Sequence, residues 1–102
     1  MILISQSTTA EAQPSNARLI LFEEDVDAIT LNTDLKCWIS RDGGTTWTQV
    51  TLADEGDYAT SKRILAGLAD ISGQPAGTGM LWKITTHNLK SLKARGIGLV
   101  WN

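Results

Sequence analysis

Residues 40–47, with the sequence SRDGGTTW, constrain the fold of this chain more than any other segment. The segments on either side, 34–39 and 48–52, alternate apolar and polar residues with the period of two that is typical of strands. Asp42 can bond its own backbone two residues on, and the two glycines after it adopt positive φ without a steric penalty. The pattern therefore predicts a β-hairpin in the middle of the chain.

The same stretch resembles the Asp-box, a Ser-x-Asp-x-Gly-x-Thr-Trp hairpin of sialidase-like propellers and of several unrelated β folds. All of its marked positions match, and they are Ser40, Asp42, Gly44, Thr46 and Trp47. The resemblance implies that Asp42 caps the turn through backbone hydrogen bonds, that Trp47 packs beneath it, and that the box is a folding device rather than a site. A propeller would repeat the box at blade spacing, so a single copy in 102 residues excludes a propeller.

The rest of the sequence predicts about seven strands and no helix, which suits a single antiparallel β-sandwich. We expect residues 1–16 to form a short N-terminal strand and an extended arm, and residues 17–102 to form the sandwich. Residues 62–71 fit helical spacing as well as a strand, and the central Gly67 favours the strand. Alternating or apolar runs predict the other strands, at 2–5, 18–22, 28–32, 34–39, 48–52, 80–87 and 93–101.

Charge and single reactive residues argue against several classes of function. The net charge is −2 and the basic residues are scattered, which disfavours a nucleic-acid surface or a polybasic membrane patch. Cys37 and His87 each occur alone, so we expect a small buried hydrophobe and a strand-end polar residue rather than a disulfide or zinc site. The acidic clusters 23–27 and 54–57 lack EF-hand spacing, which favours solvated turns over the alternative, calcium. We therefore expect no metal and no cofactor.

We also expect that the protein is not an enzyme. The sequence contains no phosphate-binding Gly-rich loop and no Gly-x-Ser-x-Gly elbow, and its single histidine leaves a catalytic triad unsupported. A pair of carboxylates for glycoside hydrolysis stays open, although nothing singles one out. The tryptophans are the other candidates: Trp82 and Trp101 share strand faces with apolar residues and are expected in the core, whereas Trp38 is expected to be exposed. Core or subunit interface is favoured for each of them over a sugar-stacking platform.

The segment 18–22 predicts an interface, because Leu19, Ile20, Leu21 and Phe22 give a strand apolar side chains on both faces. Such a strand is buried on both sides, either at the centre of its sheet or against a second chain. The predicted oligomer-interface residues are Leu19, Leu21, Phe22 and Trp38. We expect a homo-oligomer.

Nearly the whole chain, from about residue 3 to 101, resembles the C-terminal domain of bacteriophage virion structural proteins, especially tail-fibre-like proteins. The resemblance is carried by residues 17–27, 31–36, 40–47, 51–58, 62–67, 70–75 and 83–86. It implies a tail-fibre or spike-like structural protein that forms a homotrimer, contacts other virion proteins and binds host surface glycans or proteins as receptors. A capsid decoration or cement protein and a free-standing carbohydrate-binding module are the alternatives.

The resemblance also implies a location. Virions assemble in the host cytoplasm, which fits a chain whose first apolar run, residues 1–4, is too short for a signal peptide. Family members usually carry this domain at the end of a longer chain. An excised domain and a stand-alone gene product both stay open, and the latter would favour a small capsid-bound protein.

Overall fold

The structure, a computed structural model, describes residues 2–60 and 62–102, and this part of the chain contains nine strands and no helix. Met1, the first residue of the predicted N-terminal segment 1–16, and Ser61 lie outside the described residues. The strands are β1 (Ile2–Ile4), β2 (Thr8–Thr9), β3 (Asn16–Asp25), β4 (Leu35–Ser40), β5 (Thr48–Val50), β6 (Ala53–Ala59), β7 (Lys62–Asp70), β8 (Gly79–Thr86) and β9 (Leu92–Trp101). Residues 2–60 and 62–102 therefore contain no helix that could cross a membrane.

The strands form two antiparallel sheets that pack into a β-sandwich, as predicted. In the first sheet, β1 and β2 both pair with one side of β8, and β4 and β5 follow on its other side. The second sheet has the order β6-β7-β3-β9. Because β1 and β2 pair with β8, the N-terminal segment contributes edge strands to the first sheet.

The core lies between the sheets and follows the two-residue period of the strands. In β3, Leu19 and Leu21 are fully buried against the other sheet, whereas Arg18 and Phe22 are exposed on the outside. The facing sheet contributes further buried side chains, namely Leu35, Cys37, Ile39, Val50, Met80 and Ile84.

Three local predictions were wrong, each for a physical reason. Residues 28–32 form a loop with a single isolated bridge, because side chains bond its backbone: Asp34 accepts the Thr30 N–H at 2.9 Å, and the Asn32 amide pairs with both backbone groups of Leu52. The acidic residues 23–25 continue β3, since Arg63 pairs with Glu23 and Asp25, and Arg95 pairs with Glu24. The acidic residues 54–57 lie in β6, whose register breaks near Gly56 at φ 121°.

Gly67 explains why β7 is a strand despite its helix-favouring alanines and leucines. A Cβ atom at this position would lie 2.3 Å from the Thr51 carbonyl oxygen and 2.4 Å from Val50 Cγ1. The chain leaving β5 therefore crosses directly over Gly67, and only glycine permits so close an approach.

Candidate interaction surfaces

The Asp-box hairpin is held by one carboxylate oxygen. Asp42 Oδ1 accepts the backbone N–H of Thr45 at 3.1 Å and of Thr46 at 2.8 Å, and the Ser40 hydroxyl at 2.7 Å. The Ser40 oxygen in turn accepts the Gly44 N–H at 3.0 Å. These bonds close the turn on itself, in the manner that the resemblance implies.

Asp42 is committed to this structural task. Burial acts to raise its pKa, but the hydrogen bonds from the Thr46 N–H and the Ser40 hydroxyl outweigh that effect and hold the pKa at about 2. Trp47 lies under the turn, since a Cβ atom on Gly44 would stand 3.5 Å from its ring. The carboxylate is therefore ionised, and its Oδ1 atom is directed at its own backbone, while Oδ2 is sealed from solvent without a partner.

A lysine lies between two tryptophans on the outer face of the first sheet, and we call this group the Lys83 cage. Trp38 on β4 stands directly opposite Lys83 on β8. The Lys83 Nζ atom lies 5.1 Å from the ring centroid of Trp38 and 4.5 Å from that of Trp47, which are cation–π distances. The Trp38 indole N–H donates to Thr85 Oγ1 at 3.1 Å, and that oxygen also contacts His87 Nε2 at 2.8 Å. Trp38 was predicted to be exposed but is half-buried, and its ring packs against Lys83 of the same chain.

The other two tryptophans border an open cleft between the sheets, which we call the tryptophan cleft. Trp82 and Trp101 each pack one side against the core, as predicted. They line the cleft with the buried Met80 and the half-buried Leu99, and the half-buried Ser5 and the exposed Gln6 and Thr8 complete the lining. The cleft has a volume of about 340 Å³.

Exposed apolar side chains lie among charged ones on the outside of the second sheet, and we call this surface the apolar face. Leu68 is 67% exposed and Val100 is 62% exposed, and the two flank Arg18 on neighbouring strands. Phe22 and Tyr58 are also exposed, and their rings meet edge to face at 5.5 Å. Apolar groups thus extend across all four strands of this sheet.

The four predicted interface residues do not lie together. Leu19 and Leu21 are fully buried within their own chain, because alternate residues of β3 point at the facing sheet, so their assignment to an interface is wrong. Phe22 lies on the apolar face and Trp38 lies on the outside of the opposite sheet. Residues 18–22 were predicted to be buried on both faces of their strand. Within one chain, only the face that points at the other sheet is buried.

Sequence reasoning missed the most connected side chain of the hairpin, Arg41, which is 4% exposed. Its guanidinium donates to the carbonyl oxygens of Pro14 at 2.8 Å, Ser72 at 3.1 Å, Pro75 at 3.1 Å, and Gln74. Arg41 occupies a variable position of the Asp-box pattern, so the motif gave no signal of its role.

Gln74 completes the same junction from the other side. Its side-chain oxygen accepts the Arg41 backbone N–H at 2.9 Å, and its Nε2 group donates to the Ile39 carbonyl and to Thr48 Oγ1. The hairpin, the loop before β8 and the segment before β3 are thereby fastened at one point.

A second buried charged residue is Glu23, which the sequence pattern predicted to lie in a solvated turn. Its Oε2 atom accepts Arg63 Nε at 2.9 Å, while Oε1 is sealed from solvent without a partner. Arg63 also contacts Asp25 at 3.2 Å and Asp54 at 3.9 Å. Burial raises the pKa of Glu23 to about 7, Asp25 adds to the rise, and Arg63 opposes it.

The remaining reactive side chains have structural surroundings. Cys37 is fully buried, and burial raises the pKa of its thiol to about 12, so it behaves as the small hydrophobe that was predicted. Within residues 2–60 and 62–102, no three His, Cys, Asp or Glu side chains are grouped to hold a metal ion.

Comparison of the chain with protein-family models, with curated proteins and with solved structures found no match.

Proposed function

We propose that this protein is a structural component of a bacteriophage virion, in a tail-fibre or spike-like position, and that it assembles into a homo-oligomer through the apolar face. The sequence resemblance supports the virion assignment. The observation that carries the assembly is the set of exposed apolar side chains on the second sheet. The proposed role is non-catalytic and requires no cofactor, nucleic acid or membrane.

Apolar surface of this kind favours association. Removing apolar surface from water contributes about 25 cal/mol per Å², and contiguous exposed apolar patches usually mark interfaces. Leu68 and Val100 are exposed on the two strands that flank β3, and Phe22 and Tyr58 are exposed on the same side of the sheet. If a protein covered the apolar face, both faces of the second sheet would be buried, as the apolar pattern of residues 18–22 predicts.

A second copy of the chain is the partner that the surrounding charges favour. Arg18 and Glu55 border one shallow depression beside Leu68, and within the described residues neither makes an ion pair. Free charges of both signs suit a partner that also brings both signs, as an identical subunit does. The fibre-like resemblance favours three copies over two.

Light scattering at micromolar concentration tests the assembly. We expect a mass about three times the 11.0 kDa of one chain, and a single-chain mass for the double variant Leu68→Lys/Val100→Lys. Val26→Lys is the matched control, because Val26 is an exposed valine in the loop after β3 and off the apolar face; it should keep the wild-type mass. A wild-type mass near 11.0 kDa would refute the assembly.

Receptor binding is the second function we propose, and the tryptophan cleft is the observation that favours it.

Immunogold labelling of virions distinguishes the two structural positions: label at the tail supports a fibre or spike, and label over the head supports the decoration or cement alternative.

A further inference from the structure

We infer that the tryptophan cleft binds an uncharged pyranose sugar. The inference rests on the proposed function, because it assigns a chemistry and a site to receptor recognition. It is argued from the size of the cleft, the free groups on its two indoles, its polar margin and its lack of charge.

The cleft has the size and composition of a small ligand site. Its volume of about 340 Å³ lies at the lower end of the range for ligand pockets. Met80 is almost fully buried and Leu99 is half-buried, so the deeper lining is apolar. A sugar ring matches such a lining because its C–H groups form apolar patches that stack on aromatic rings.

The two indoles of the cleft keep their polar groups free. Among the described residues, the Trp82 and Trp101 indole N–H groups have no hydrogen-bond partner, and neither nitrogen is sealed from solvent. In the Lys83 cage, by contrast, the Trp38 N–H is bonded to Thr85. Trp82 and Trp101 can therefore offer both an apolar ring and a hydrogen-bond donor, a combination that suits a ring carrying hydroxyl groups.

The margin of the cleft supplies further polar groups. Gln6 and Thr8 are exposed, and their side chains bond to nothing else among the described residues. Ser5 is held in place, since its hydroxyl accepts the backbone N–H of Trp82 at 3.0 Å and its own backbone N–H donates to the Trp82 carbonyl. The backbone of the margin is thus anchored beside Trp82, while the Gln6 amide stays available to donate and accept hydrogen bonds.

The cleft carries no charge, and this decides the class of sugar. None of its seven lining residues is Asp, Glu, Lys, Arg or His. A sialic or uronic acid would bring a carboxylate to a site with no cation, at a cost in desolvation. The lining therefore selects neutral pyranoses, with binding independent of salt and pH.

Nuclear magnetic resonance of the four indole N–H groups tests this directly, because each tryptophan gives its own signal. The probes are the methyl pyranosides of glucose, galactose, mannose and N-acetylglucosamine, with glucuronic acid and N-acetylneuraminic acid as charged comparators. We expect at least one neutral sugar to shift the Trp82 and Trp101 signals saturably, with no effect on Trp38 and no change in 0.5 M NaCl. Absence of saturation with every neutral sugar, preference for the acidic sugars, or shifts confined to Trp38 and Trp47 would overturn the inference.

Two variants separate binding from folding. Trp101→Leu should weaken sugar binding by at least about tenfold through loss of the aromatic surface. Gln6→Ala, at an exposed residue whose side chain makes no bond, should weaken binding several-fold without altering the melting temperature. Gln49→Ala is the matched control, since Gln49 is an exposed glutamine on β5, outside the cleft lining. Unchanged binding in both cleft variants would overturn the site, whereas the oligomer mass is measured separately and reports only on the assembly proposal.

Discussion

Arg41 and Glu23 are both buried charged residues, and the protein satisfies them in opposite ways. Arg41, at the Asp-box hairpin, is surrounded by four neutral carbonyl oxygens from distant parts of the chain. Glu23, in β3, has a cation beside one carboxylate oxygen and no hydrogen-bond partner for the other. Four of the five guanidinium N–H groups of Arg41 meet a carbonyl dipole, whereas the incompletely paired carboxylate of Glu23 keeps part of its desolvation cost. Near neutral pH, the Glu23 end should therefore respond to pH.

The two junctions also differ in what they connect. Arg41 and Gln74 fasten segments that are far apart in sequence, on either side of the hairpin. Glu23 and Arg63 connect paired residues on neighbouring strands of one sheet, which backbone hydrogen bonds already hold. Losing the first junction should release three loops, and losing the second should release one side-chain contact.

The largest effect we predict is for Arg41→Met, which keeps the stem of the side chain and removes its donors. Buried carbonyls left unpaired each cost about 1–3 kcal/mol, and partial hydration limits the sum, so we expect a loss of about 3–5 kcal/mol. Urea unfolding at pH 7 measures it. Arg41→Lys keeps the charge but cannot reach all four carbonyls, and should fall between wild type and Arg41→Met. An unchanged urea midpoint for Arg41→Met would show that the junction contributes nothing.

Asp42→Ala should follow, with a loss of about 1–3 kcal/mol, because it leaves the Thr45 and Thr46 N–H groups without their acceptor. Asp42→Asn retains a side-chain oxygen and should lose less. Thermal unfolding measures both variants, and the folded fraction should retain its sugar binding because the box lies outside the tryptophan cleft. Equal melting temperatures for Asp42→Ala and wild type would contradict the capping role.

The hairpin end also shows how far sequence reasoning reaches. The Asp-box pattern and the two-residue period were sufficient to predict the hairpin, the sandwich and the capping role of Asp42, because these depend on local geometry. The position of Arg41 depends on which loops meet it, and no local pattern encodes that meeting. The pairing of Glu23 with Arg63 joins residues 40 positions apart, so a run of acidic residues looked like a turn.

For the candidate surfaces, periodicity predicted correctly that Trp82 and Trp101 pack on the core. It could not show that the edges of the two sheets leave their other sides open, because that depends on where β1, β2 and β9 end. Periodicity likewise gave the apolar character of 18–22, but assigning its inner leucines to an interface required knowing that the second sheet lies over them.

Glu23 should make stability depend on pH. The folded state keeps the proton on this carboxyl up to about pH 7, whereas the unfolded chain releases it near the ordinary pKa of 4.5. The folded state thus binds more protons between these values, so the free energy of unfolding falls as pH rises from about 4.5 to about 7. The raised pKa corresponds to roughly 3 kcal/mol, and water near the more exposed Asp25 and Asp54 reduces it, so we expect about 1–2 kcal/mol.

Urea midpoints measured between pH 4.5 and 8 test this dependence. Glu23→Gln removes the titrating group and keeps an oxygen for Arg63, so its profile should be flat across the window in which the wild type declines. A wild-type profile that rises between pH 5 and 7, or a decline that persists in Glu23→Gln, would assign the proton to another group.

The smallest predicted effect on stability comes from an exposed ion pair. It allows a direct comparison, because adjacent residues of β3 make the same kind of pair on opposite faces of the sheet. Glu23 pairs with Arg63 inside, where the arginine side chain is 16% exposed, and Glu24 pairs with Arg95 outside, where it is 49% exposed. Hydrogen bonding to Arg95 lowers the pKa of Glu24, yet solvent and salt screen an exposed pair. Arg95→Ala should therefore lower the urea midpoint by roughly a fifth or less of the effect of Arg63→Ala, which leaves Glu23 buried without a cation. In 1 M NaCl the Arg95→Ala effect should vanish and the Arg63→Ala effect should persist; equal losses for the two variants would mean that burial does not decide what an arginine–glutamate pair contributes to this sheet.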